Sequence, residues 1–124
     1  PGVRTSVFVS GCTRHCKDCF QPQTWDFDYG EPFTPEVTAG ILRTLEPPHI
    51  AGLTVLGGEP FEPKNQAGVR ALVEAVRAAY PQKSIWAFTG YTLSCWQAAS
   101  ARRMMFWAFC AVWTCWWTGR LSRR

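Results

Sequence analysis

"IAGLTVLGGEPF", running from Ile50 to Phe61, decides the fold. Its first half is an apolar run of strand length, and Gly57-Gly58 stops it with a turn. "NQAGVRALVEAVRAAY" (Asn65 to Tyr80) then sets Val69, Leu72, Val73 and Val76 on one helical face, with Arg70, Glu74 and Arg77 turned outward. "KSIWAFTGY" (Lys83 to Tyr91) is a further β-rich run that ends at Thr89-Gly90. Strand, helix, strand in this order is the pattern of a β/α unit with parallel strands and a right-handed crossover.

Upstream the pattern repeats. "RTSVFVS" (Arg4 to Ser10) is apolar and β-branched and stops at Gly11, as a buried strand does. "QPQTWDFDYGEPF" (Gln21 to Phe33) reads as an ordered loop with turn residues, anchored by Trp25 and Phe27. Thr34 is a suitable N-cap, with Pro35 at the first helical position and Val37, Ile41, Leu42 and Leu45 at helical spacing. Pro47 and Pro48 end that helix. The fold class is therefore α/β with a parallel sheet, and chemistry in such folds gathers at the C-terminal strand ends. The three distinctive loops fall there: a cysteine cluster, Gly57-Gly58-Glu59-Pro60, and Thr89-Gly90-Tyr91.

The 124 residues are enough for one domain with a modest core. The chain opens on Pro1 without a Met, so its start is expected upstream. Nothing near that start reads as a secretion signal, which points to the cytosol, where clustered thiols serve metal or redox chemistry. The formal net charge of +4 is unevenly spread. Residues 1–93 hold eight Lys/Arg against nine Asp/Glu, a net of −1, while residues 94–124 hold five Arg and no acid. Those arginines sit in a tail rich in Trp, Phe and Cys, a poor match to a nucleic-acid-binding stripe. Lone His49 carries no signal, His15 reads as exposed, and Arg4 reads as a solvated side chain, with a carboxylate or a partner as its alternative contact.

"GCTRHCKDCF" (Gly11 to Phe20) places Cys12, Cys16 and Cys19 directly after the first strand. Each iron of a [4Fe–4S] cluster takes one outside ligand, so three thiolates leave one iron open to substrate. Structural zinc asks for a fourth ligand, and His15, adjacent to Cys16, is awkwardly placed to share the ion. An electron-transfer ferredoxin would supply a fourth cysteine. Unrelated thiols at this spacing would be a coincidence.

The C-x3-C-x2-C spacing resembles the signature of the radical S-adenosylmethionine enzymes, and "LGGEPF" resembles their GGE segment. "PGVRTSVFVSGC", C-F-x-P-x-T-W-D-F, "LGGEP" and "TGYT" together resemble the anaerobic ribonucleoside-triphosphate reductase-activating proteins over residues 1–93. The resemblance implies a partial parallel (β/α) barrel, truncated at both ends. It implies a [4Fe–4S] cluster on Cys12, Cys16 and Cys19, and S-adenosyl-L-methionine near Gly57, Gly58, Glu59, Pro60, Thr89 and Gly90. Many radical S-adenosylmethionine enzymes carry an aromatic just before the third cysteine, where this chain has Asp18. Phe20 is then the candidate neighbour of the adenine, with loop or core packing as its alternative. The implied partners are the large subunit of the reductase, which would receive a glycyl radical, and an electron donor such as a flavodoxin. Neither a nucleic acid nor a membrane is expected as a partner. An activase for another glycyl-radical enzyme, of the pyruvate formate-lyase type, and a non-catalytic iron–sulfur or zinc module are the rival readings.

The tail resembles none of these proteins. Met104 to Trp117 is a mostly apolar run too short to span a bilayer comfortably and without a polar face. Met and Trp have single codons, so a one-base shift can be tested. It forces Asp across Trp113-Thr114, Leu across Cys115-Trp116, Val across Trp116-Trp117 and Asp across Trp117-Thr118. The hidden frame permits Asp-Val-Leu-Val-Asp-Gly-Pro-Phe, a segment resembling one that follows the TGYT strand in the activating proteins. The chain is therefore expected to be a radical enzyme core over 1–93 joined to a frame-shifted product over 94–124.

Overall fold

The computed structural model describes residues 2–91. The expected frame-shifted tail, 94–124, lies outside the described residues. The elements are β1 (Val3–Val9), a short 3-10 turn (Pro22–Trp25), α1 (Pro35–Leu45), β2 (Ile50–Gly57), α2 (Pro63–Ala79) and β3 (Ser84–Ala87). The three strands form one parallel sheet in the order β1-β2-β3. Sequence neighbours are thus sheet neighbours, each crossover passing through a helix.

Alternation along the strands separates the two faces of the sheet. Leu53 and Val55 of β2 and Ile85 of β3 point to the helical side. There they form one buried cluster with Leu45 of α1, Val69, Leu72, Val73 and Val76 of α2, and Phe61. Val7 and Val9 of β1 pack against its edge. Each such aliphatic side chain, fully buried, contributes about 1.5–3 kcal/mol. The opposite face carries Arg4, Phe8, Thr54, Leu56 and Trp86, and Phe8 is 55% exposed there. Both helices therefore serve one side of the sheet.

The α1 start agrees with its sequence signal: Thr34 Oγ1 accepts from the Val37 N–H, and Pro35 stands at the first helical position. Its apolar face is less buried than its spacing implies, since Val37 is exposed and Leu45 alone is fully covered. Helix α2 begins at Pro63, two residues before Asn65, because proline fits the first turn where N–H groups lack helical partners. β3 spans only Ser84–Ala87, and its last bond to the sheet is Phe88 N–H to the Val55 carbonyl. Lys83, expected to open that strand, is instead buried and donates through Nζ to the carbonyls of Pro47 and Ile50.

Arg4 corrects the reading of a solvated side chain. Its guanidinium donates to Thr54 Oγ1, Ser84 Oγ and the carbonyls of Leu53 and Ser84, and lies 4.1 Å from the Trp86 ring centroid. One side chain thus ties all three strands together on the uncovered face. Gly52 permits the close approach of β2 and β3, since a Cβ there would sit 1.8 Å from the Ser84 carbonyl oxygen.

Candidate metal centre

The ends of β1 and β2 are stitched together by main-chain bonds. Gly58 N–H donates to the Val9 carbonyl at 2.7 Å, and Glu59 N–H donates to the Gly11 carbonyl at 2.9 Å. Gly11 and Cys12 donate in turn to the carbonyls of Thr24 and Trp25 in the 3-10 turn. This packing requires glycine at position 58: a Cβ would lie 2.7 Å from the Gly11 oxygen and 2.8 Å from the Thr24 oxygen. Gly57, at φ +114°, takes a left-handed conformation that side chains disfavour.

Glu59 joins the second loop to the third. It is 1% exposed; Oε1 accepts from the Phe61 N–H at 3.0 Å and the Thr89 hydroxyl at 2.7 Å, and Oε2 accepts from the Gly90 N–H at 2.7 Å. A buried carboxylate is stable when its lone pairs are met in this way. The Glu59 side chain thus brings Thr89 and Gly90 to the second loop. Pro60 is fully buried beside it.

The cysteine loop is far more open. Cys12 is buried at the exit of β1, Cys19 is half-buried and Cys16 is exposed, and all three are free thiols. Cys19 N–H donates to the Cys16 carbonyl at 3.2 Å, and His15 and Asp18 both take positive φ values. The loop is thus coiled, as its spacing implied. His15 is exposed, as read, and its ring stacks on Trp25 with centroids 4.4 Å apart. Trp25 and Phe27 are the loop anchors: the Phe27 ring lies against Gly11, and Lys64 Nζ stands 4.8 Å from its centroid. Phe20 is 84% exposed, which overturns the packing alternative for it.

Among the described residues no three His, Cys, Asp or Glu side chains stand close enough to enclose one metal ion. A mononuclear zinc site draws its thiolates onto a single ion, whereas a cluster binds each thiolate to a different iron. The donor set fits the cluster: three unpaired thiols on one coiled loop, beginning at a strand end. Gln21, two residues past Cys19, adds a buried Oε1 with no hydrogen-bond donor among the described residues.

Sequence reasoning missed two residues of this region. Asn65 donates through Nδ2 to the carbonyls of Ser10 and Glu59, closing the first two loops onto α2. Glu62, 3% exposed, accepts at Oε1 from the Thr13 N–H (2.9 Å), the Thr13 hydroxyl (2.6 Å) and the Tyr91 hydroxyl (3.1 Å). Burial pushes its carboxyl up, but the Thr13 and Tyr91 bonds and the Arg14 charge outweigh that and hold it below its ordinary value. Burial and the Glu62 carboxylate together push the Tyr91 hydroxyl up. The carboxylates themselves were visible in the sequence, but no local spacing announces partners so distant along the chain.

The model of the 4Fe-4S single cluster domain matches residues 1–113. The chain is similar to the anaerobic ribonucleoside-triphosphate reductase-activating proteins of several organisms. It is 40% identical to that of Salmonella typhi over 95 residues, which are 75% of this chain and 62% of the relative. Identity is 41% over 96 residues with that of Vibrio cholerae, covering 76% and 62%. With that of Pasteurella multocida it is 39% over 106 residues, covering 84% and 67%. The chain thus spans about three fifths of the length of the first of these relatives. No solved structure matches it.

Proposed function

The chain belongs to the family of anaerobic ribonucleoside-triphosphate reductase-activating proteins and carries their 4Fe-4S single cluster domain; on that premise we propose that it is a radical S-adenosylmethionine activase. The observation that carries the reading is the meeting of three strand ends: the free thiols of Cys12, Cys16 and Cys19 follow β1, beside the Gly57–Pro60 turn and the Thr89-Gly90 loop. Cys12, Cys16 and Cys19 would hold the cluster, leaving one iron for the amino and carboxylate groups of S-adenosyl-L-methionine. When bound, the reduced cluster would supply one electron, drawn from a donor of the flavodoxin kind, for reductive cleavage of the cofactor to methionine and 5′-deoxyadenosine. The hydrogen atom would come from a backbone glycine of the reductase large subunit, which would be left as a glycyl radical.

The protein's own share is positioning. Gly57 and Gly58, carrying no side chain, let the second loop pack directly on the end of β1 and the Thr24 turn, which would hold the Gly57–Pro60 segment beside the cofactor. Glu59 keeps the third loop in register with the second, its oxygens engaged by Phe61, Thr89 and Gly90. Gln21 Oε1 offers an acceptor to a ligand ammonium, and exposed Phe20 offers a face to the adenine. The sequential order β1-β2-β3 is the order of neighbouring strands in a (β/α) barrel, whose remaining strands would extend this sheet. No helix among the described residues is long and apolar enough to cross a membrane, and a cytoplasmic setting is part of the same proposal.

Anaerobic reconstitution tests the reading. Iron and sulfide in the ratio of a four-iron cluster, with a paramagnetic spectrum that changes on adding S-adenosylmethionine, support it. Bound zinc, or a cluster indifferent to that ligand, rejects it. Glycyl-radical formation on the reductase, set against a pyruvate formate-lyase control, identifies the partner.

The change of character after Leu93 enters the same proposal as a change of reading frame. The family match reaches residue 113, so the two statements meet over 94–113. The gene sequence decides between them: a one-base restoration must yield Asp-Val-Leu-Val-Asp-Gly-Pro-Phe and a continuous family C-terminus.

A further inference from the structure

Glu62 is the N-cap of α2, yet its side chain makes no capping bond to its own helix. A carboxylate at this position ordinarily satisfies the first N–H groups of the helix. Here Oε1 faces away from α2 and accepts from both donors of Thr13, the residue immediately after Cys12. The same oxygen accepts from the Tyr91 hydroxyl. Tyr91 N–H donates to Thr89 Oγ1, and the Thr89 hydroxyl donates to Glu59. One continuous series of bonds therefore runs from the cysteine loop through two buried carboxylates to the loop after β3.

Thr13 itself is exposed, as are Arg14 through Asp18. A loop with so little apolar cover owes its conformation to a few polar attachments, and charge-assisted bonds are the strong ones. We infer that Glu62 is the positioning residue of the cysteine loop: its carboxylate fixes Thr13, and with it the buried seat of Cys12. Its link through Tyr91 makes that seat sensitive to the loop after β3. The inference deepens the proposed function, and its main test is independent of cluster and cofactor.

The test is site-resolved alkylation of the reduced, metal-free 124-residue chain with iodoacetamide, followed by mass spectrometry. Of Cys12, Cys16 and Cys19 in the parent chain, Cys16 reacts fastest and Cys12 slowest. Glu62→Ala raises the Cys12 rate about tenfold, the effect of removing one charge-assisted bond from a local opening equilibrium. Cys16 changes little, and Glu62→Gln, which keeps one acceptor, gives a smaller rise. Thr13→Val also raises the Cys12 rate, Thr13→Ser restores it, and Tyr91→Phe raises it modestly. An unchanged Cys12 rate in Glu62→Ala and Thr13→Val, or no rescue by Thr13→Ser, overturns the inference. Should Glu62→Ala lose its helical circular dichroism, the Thr13 pair decides alone. In a second arm, reconstituted Glu62→Gln releases iron to a chelator faster than the parent. A parent chain that takes up no cluster defeats the proposed function and leaves the alkylation result standing.

Discussion

The Gly57–Glu62 turn and the Cys12–Cys19 loop lie side by side and are built in opposite ways. The turn is buried: Glu59, Pro60, Phe61 and Glu62 are all inaccessible, and both carboxylates are satisfied by protein donors. Most of the cysteine loop is exposed and attached at its start, through Gly11, Cys12 and Thr13, with His15 resting on Trp25. The turn owes its shape to the fold, whereas the loop carries three free thiols, only Cys12 of them buried, and the proposed function leaves their final arrangement to the cluster. Metal sites commonly complete their geometry on binding, because their ligand groups repel or lack partners without the ion. Substitutions in the two regions should therefore differ in kind.

The largest effect is expected in the loop and should be one of binding. On the proposed function, Cys12→Ala, Cys16→Ala or Cys19→Ala would each leave an iron without its ligand, and cluster content after anaerobic reconstitution should fall to background. The fold itself should persist for Cys16→Ala, since that residue is exposed. The largest effect in the turn is one of stability. Glu59→Ala removes the shared acceptor of the Phe61 and Gly90 N–H groups and the Thr89 hydroxyl, and chemical denaturation should show a loss of about 3 kcal/mol. Gly58→Ala forces a methyl against two carbonyl oxygens, at a cost of about 2 kcal/mol in the same measurement.

A smaller effect is expected from acid. The Glu62 carboxyl is held below its ordinary value in the folded chain, so it binds a proton more readily when unfolded. Its stabilising contribution is complete above the ordinary carboxylate range and is lost as pH falls through the lower folded value. Thermal midpoints followed from neutral pH to about pH 3 should decline less steeply in Glu62→Gln than in the parent. The smallest effect belongs to Phe20→Ala, which should change stability by less than about 0.5 kcal/mol because the ring is exposed. A large loss there would break the contrast, and so would a Glu59→Ala chain of parental stability.

The parts of this structure legible in the sequence are those dictated by neighbours in the chain. β1 and β2 followed from apolar β-branched runs, and α1 from Thr34-Pro35 and the prolines beyond it. The gathering of three loops at one sheet end followed from parallel topology. The rest depends on distance through space. Glu62 drew no reading, Asn65 read as the first residue of a helix, and Arg4 as a solvated cation. Each is fixed by partners from elements far along the chain, and no spacing rule finds such partners. Pro63 was a usable signal for the start of α2, since proline favours the first helical position.

The four residues of β3 bond to β2 on one side, and among the described residues their other side has no strand beside it. A parallel edge of this kind is a template: its free N–H and C=O groups accept whatever extended chain arrives first. Where nothing outside the described residues covers that edge, the arrival would be a second molecule. Concentration should then govern how well the protein survives in solution, and a Lys or Pro on the free edge should slow its self-association without touching the cysteines.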